Sequence, residues 1–242
     1  MNDVERQGRI DLAAAFRWAA RLGYHESIAN HFTLAVTDDG SRFLVNPWGL
    51  HFSEIRARDL LLVDGEGHVY AGDAKPERSA ICIHAPMHAR LPHARCVLHT
   101  HMPYATVLTT IEGGRLEMVH QSSARFYGQI AYDDSFNTMA LGDDEGDRIC
   151  RALGDKSILF MANHGVTMVG PTVAEVFDAL YYLERACEHQ VRAMLTGRAL
   201  KPMSDEAARK TAEQWSHGAW SATEHFAALK RILDREEPDY AQ

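Results

Sequence analysis

Between residues 9 and 22 apolar side chains recur at Ile10, Ala13, Phe16 and Ala20, a spacing that predicts one face of an amphipathic helix. Gly23 stands where a left-handed C-cap would end it. HFTLAV (31–36) and RFLVN (42–46) flank TDDGS, and DLLLVD (59–64) and HVYAG (68–72) flank a second Asp-Gly turn, so two hairpins are predicted. The intervening NPWGLHF carries Pro47 and Gly49 and reads as a shaped loop. A helix is expected over 77–91, then an apolar strand at ARCVLHTH (94–101) and a helix opened by Pro103. GQIAY (128–132) predicts a strand, DDSFN a polar turn, and DDEGDRICRALG (143–154) a helix led by acids and closed by glycine. KSILFMAN (156–163) and VTMVG (166–170) predict strands on either side of His164-Gly165, with helices over 172–196 and 204–233. The acidic tail DREEPDYAQ is expected to fray. Strands in hairpins framed by helices argue an α/β fold, a three-layer α/β/α sandwich around a largely antiparallel central sheet.

Composition adds exclusions. The 242 residues are 46% hydrophobic and 24% charged, which suits a globular chain with a real core. A net charge of −8 with scattered basic residues argues against nucleic acid as a partner. The amino terminus lacks an apolar h-region and the DLAAAFRWAARLG run is broken by Arg17 and Arg21, so no membrane partner and a cytoplasmic location are expected. Cys82, Cys96, Cys150 and Cys187 form no C-x-x-C pair and read as reduced, packed thiols.

Histidine is over-represented, with 14 in the chain, and imidazole is both a common metal ligand and a proton carrier near neutral pH. His99 and His101 stand two apart at a strand end, so both can face one ion. His164 ends another apolar strand before a glycine that permits a sharp turn. Three neutral imidazoles leaving a position open suit a catalytic divalent metal, although an H-x-H pair also fits a hydrogen-bonded core.

VLHTHMPYATVL, FMANHGVTMVG, SIANHF, NPWG and VAEVFDALYYLERACEHQ together resemble the class II aldolase/adducin family, over about residues 10–200. The resemblance implies an α/β/α sandwich on an antiparallel sheet. It also implies one such domain over residues 1–242 with a C-terminal helical extension from about 204, and a homotetramer with active sites between subunits. It makes His99, His101 and His164 the ligands of a divalent metal, zinc first and manganese or iron as alternatives. It makes Asn30 a substrate contact, with a turn-stabilising amide as the other reading.

Three positions depart from the sugar-phosphate aldolases that the family contains. Their acid/base glutamate falls at Ala80, and the nearest acid, Glu77, is about one helical turn earlier. Their phosphate-holding hydroxyls give way to Lys75-Pro76-Glu77-Arg78, against a sugar-phosphate substrate. Their proton-donating tyrosine falls at Gln121, with His120 and Tyr127 nearby. Glu77, His120 and Tyr127 are therefore the candidate proton carriers, with packing as the alternative for His120 and the preferred reading for Tyr127. Arg78 and Gln121 are candidate substrate contacts, Arg78 through a bidentate hold on a carboxylate.

This set suits a lyase that breaks a carbon–carbon bond of a small oxygenated carboxylate or hydroxy-carbonyl compound, by decarboxylation or retro-aldol cleavage, through a metal-stabilised enolate. Decarboxylation makes fewer demands on an acid/base pair. A non-catalytic adducin-like assembly module and a dehydratase or epimerase of the same fold are the alternatives.

Overall fold

The computed structural model describes residues 1–135, 143–216 and 221–242. Part of the predicted DDSFN turn, residues 136–137, lies outside them. Helix α1 spans Asp3–Leu22, starting earlier than the apolar period because Asn2 caps it by accepting from the Glu5 amide at 2.8 Å. Gly23 closes it at φ 69°. Eight strands follow the order β4-β3-β2-β1-β5-β8-β7-β6, with β1 His31–Ala35, β2 Arg42–Val45, β3 Leu61–Asp64, β4 Val69–Ala71, β5 Cys96–Thr100, β6 Ile130–Asp133, β7 Ile158–Met161 and β8 Gly165–Gly170. Both predicted hairpins form, β1 with β2 and β3 with β4. Every neighbouring pair is antiparallel except β6 with β7.

The sheet is covered on both faces, as a three-layer sandwich requires. Alternate positions Phe32, Leu34, Cys96, Leu98, Val166 and Met168 point into the core shared with α1 and with α6 (Val173–Met194). Phe16 of α1 stacks on Phe32 at 4.7 Å and meets Phe52 edge-on at 4.6 Å. The other parity, including Val97, Leu159 and Val169, packs on α2 (Arg78–Arg90) and α5 (Asp143–Leu153). Thr33 and His99 share that parity, so β1 and β5 carry polar side chains into the α2 layer.

Helix α3 (Pro103–Thr109) begins at Pro103 as expected. Its Tyr104 and Ala105 amides donate to the Glu184 carboxylate of α6 at 2.7 and 2.9 Å, which pins the chain just after β5. Burial nevertheless pushes Glu184 up to about 7.

The C-terminal region departs from expectation twice. In place of one helix over 204–233 there are two, α7 (Asp205–Gln214) and α8 (Ala222–Glu236), capped by Ser204 and Ser221. The tail does not fray: residues 238–241 form a 3₁₀ turn with Tyr240 buried, and Glu237 and Asp239 pair with buried Arg17 at 2.9 and 2.8 Å. Arg17, which looked like an interruption of the apolar face, is the partner that holds the tail down. Among the described residues no helix is long and apolar enough to cross a membrane.

Candidate metal centre

Antiparallel register fixes the first side chains. His99 near the end of β5 lies opposite His31 on β1 and opposite Thr167 on β8. Two residues on, His101 follows the last strand position. His164 arrives from the β7–β8 turn, where Asn163 adopts φ 56° and its amide donates to the Thr109 carbonyl at 2.9 Å. The next residue must be glycine: a Cβ on Gly165 would stand 2.6 Å from the Thr100 carbonyl oxygen and 2.7 Å from the His101 ring. That close approach seats His164 beside the other two.

The three imidazoles converge. Their ring centroids are 4.8 Å (His99–His164), 5.0 Å (His101–His164) and 5.1 Å (His99–His101) apart, and one ring nitrogen from each lies within 4.8 Å of the others. The outer nitrogens of His99 and His101 are occupied. His99 Nδ1 faces the Val166 carbonyl at 3.1 Å and Thr167 Oγ1 at 3.2 Å, and His101 Nδ1 pairs with the Glu26 carboxylate. Such partners fix the tautomer and leave Nε2 as the lone-pair atom. His101 Nε2 is buried with no hydrogen-bond partner. Burial, reinforced by the neighbouring imidazoles, lowers the pKa of His99 and takes His164 down to about 4, so both are neutral ligands at pH 7. An unpartnered inward nitrogen and an all-imidazole donor set fit a divalent transition metal.

Around this centre lies a shell that the motif reading missed. His31 sits 5.0 Å from His99, ring to ring, and its Nδ1 is 2.9 Å from His84 Nε2. His84 and His88, one turn apart on α2, both meet Thr33 Oγ1, at 2.7 and 2.8 Å. The signal available in the sequence was the i, i+4 pair on a helix whose other faces are apolar. Glu26 gave no signal, because its role depends on a turn.

Of the predicted residues, Asn30 is buried at φ 85°, and its Oδ1 accepts from the Glu26 amide at 2.9 Å, shaping that turn. Its Nδ2 is buried without a partner. Glu77 is the N-cap residue of α2 and accepts from Ser79 Oγ at 2.9 Å; Ser79 Oγ is also 3.3 Å from His31 Nε2, so the carboxylate reaches the shell through one hydroxyl. Arg78 is exposed at the first turn of α2, and Ala80 is buried. His120, Gln121 and Tyr127 are placed otherwise, by α4 (Gln121–Ala124) and the segment after it. His120 stands 4.5 Å from the His189 ring of α6, the Gln121 carbonyl accepts from Trp215, and Tyr127 donates to Asp205 of α7 at 2.5 Å.

Comparison with known proteins gives a consistent picture. The profile of the Class II Aldolase and Adducin N-terminal domain matches residues 10–191. A Caulobacter vibrioides protein whose name assigns it to aldolase class 2 is 34% identical over 252 residues, covering 100% of this chain and 94% of that protein. The crystal structure of an aldolase II superfamily protein from Pseudomonas syringae superposes with a TM-score of 0.92 at 32% identity, covering 100% of this chain and 98% of that one. Alpha-adducin of Rattus norvegicus is 31% identical over 194 residues, which is 78% of this chain and 26% of the adducin.

Proposed function

The chain belongs to the class II aldolase and adducin family, and from that premise we propose that it is a divalent-metal-dependent lyase. It would cleave a carbon–carbon bond of a small oxygenated carboxylate or hydroxy-carbonyl compound, by decarboxylation or retro-aldol reaction. The observation that carries this reading is the convergence of His99, His101 and His164 with an unpartnered nitrogen at the centre. When bound there, a divalent cation, zinc first and manganese or iron as alternatives, supplies the Lewis acidity that stabilises enolate charge as the bond breaks.

The chain's own residues then have separate tasks. Asn30 Nδ2 is the buried donor left over for a substrate oxygen. Arg78 offers a guanidinium to a substrate carboxylate. Glu77 exchanges protons through Ser79 rather than by direct reach. His120, Gln121 and Tyr127, partnered by α6 and α7 of their own chain, serve a neighbouring subunit's centre in a homotetramer whose sites lie between subunits. The assembly is one domain with α7 and α8 as its extension, in the cytoplasm.

Metal analysis of the purified protein is the direct test. About one divalent ion per chain is expected, lost in the His99→Ala/His101→Ala double variant together with carbon dioxide release from 2-hydroxy-3-oxo-acids or aldehyde release from 4-hydroxy-2-oxo-acids. A metal-free wild type that still turns over substrate refutes the proposal. Ala80, at the position of the sugar-phosphate aldolases' acid/base glutamate, favours a second reading, an adducin-like assembly module. That reading predicts a stable oligomer that takes up no metal.

A further inference from the structure

The buried chain of hydrogen bonds behind the metal centre has a direction, and its direction can be worked out from one end. The Ala94 carbonyl can only accept, and His88 Nδ1 lies 2.8 Å from it, so Nδ1 carries the proton. His88 is buried and neutral, which leaves a lone pair on Nε2, and the Thr33 hydroxyl 2.8 Å away must donate to it. Thr33 Oγ1 then accepts from His84 Nδ1 at 2.7 Å. His84, fully enclosed and neutral, turns its Nε2 lone pair to His31 Nδ1, which donates at 2.9 Å. Every tautomer from Ala94 to His31 is thereby fixed, and His31 Nε2 is left without a proton.

At the open end the protons run short. His31 Nε2 faces Ser79 Oγ at 3.3 Å, but the one proton of that hydroxyl is also placed for the Glu77 carboxylate at 2.9 Å. Six contacts join Ala94 to Glu77, and the five neutral donors His88, Thr33, His84, His31 and Ser79 bring one proton each, so one contact goes unfilled. The longest of the six is the one at His31. This deficit lies beside His99, whose ring is 5.0 Å from that of His31.

We infer that His31 Nε2 is a fixed hydrogen-bond acceptor of the centre, its direction set through Thr33 and the Ala94 carbonyl, which selects ligands presenting a hydroxyl donor over ethers of the same size. The inference rests on the metal reading only for where the ligand sits. A hydroxyl on the bound acid supplies the missing sixth proton, whereas an ether leaves a buried acceptor unsatisfied.

Two measurements test it on the full-length protein. In the metal-free protein, long-range proton–nitrogen correlation on ¹⁵N-histidine should show His31, His84 and His88 all as the Nδ1–H tautomer; a proton on His31 Nε2 overturns the inference. In zinc-loaded protein, lactate should bind about tenfold or more tighter than its isomer methoxyacetate. That preference should fall to a few-fold in Thr33→Val, which has no hydroxyl to relay the direction, and return in Thr33→Ser. An identical preference in all three proteins also overturns it. Should the protein take up no zinc, the metal reading fails while the tautomer measurement still decides this one; if Thr33→Val does not fold, the wild-type spectrum does the same.

Discussion

Burying a histidine shifts its proton equilibrium, and the sign of that shift makes His88 a stability element as well as a relay. Enclosure pushes its pKa down from 6.5 to about 4, against a smaller opposing pull from the Ala94 carbonyl. The unfolded chain takes up a proton near pH 6.5 while the folded chain refuses it until about pH 4. The contribution of His88 is therefore present above 6.5 and is lost as pH falls through about 4. It amounts to roughly 3 kcal/mol over that window. His84 works in the same direction, and Glu184, raised to about 7, in the opposite one: its contribution is full below 4.5 and is lost as pH rises through 7. Urea denaturation of the metal-free protein across pH 7 to 4 should show stability falling toward acid, with His88→Gln lowering the slope by about one proton. An unchanged slope in that variant would mean that the ring is already charged in the fold.

At the scale of elements, the relay depends on how α2 is seated on β1, and α5 packs beside α2 on the same face of the sheet. Pro86 inside α2 has no N–H to offer the Cys82 carbonyl four residues earlier. Gly146 of α5 packs into this stretch: a Cβ there would stand 2.0 Å from the Cys82 carbonyl oxygen and 2.7 Å from Pro86 Cγ. Gly146→Ala should push the helices apart and cost about 1–3 kcal/mol, read as a shift in denaturation midpoint with the slope unchanged. A variant as stable as wild type would show that α5 yields without strain. The sequence made both helices visible through period and end residues, but gave no signal for Gly146, since the neighbour that demands it belongs to another element. The hairpins and the H-x-H strand were legible for the opposite reason, because their signals are local. His31 and Glu26 were not: one acquires its role from strand register and the other from a turn bent by Asn30.

Over the whole molecule the same contrast explains the tail. An acidic, proline-containing terminus reads as solvated when its partners are 200 residues away, and those partners read as defects in an apolar helix. Folded together, Arg17 is 6% exposed and donates to the Ile55 carbonyl at 2.9 Å, to Glu237 at 2.9 Å and to Asp239 at 2.8 Å, while Arg21 holds Glu236 and Glu237. Tyr240 is buried beside them and donates to Asp234, and the Arg58 amide donates to the Gln242 carbonyl. Deleting residues 237–242 removes both carboxylates that Arg17 faces and leaves its cation buried, in addition to exposing the apolar surface that Tyr240 covers. The expected loss is about 3 kcal/mol or more, or roughly 6–12 °C in Tm for a chain of this size. Arg17→Met in the shortened chain should recover part of that loss, because the buried charge is gone, whereas Arg17→Met in the full chain should destabilise, because Asp239 and the Ile55 carbonyl lose the guanidinium that donates to them and Glu237 keeps only Arg21. A shortened chain that melts within about 2 °C of the full one, a shift worth no more than about 1 kcal/mol, would mean that the tail lies on the fold without supporting it.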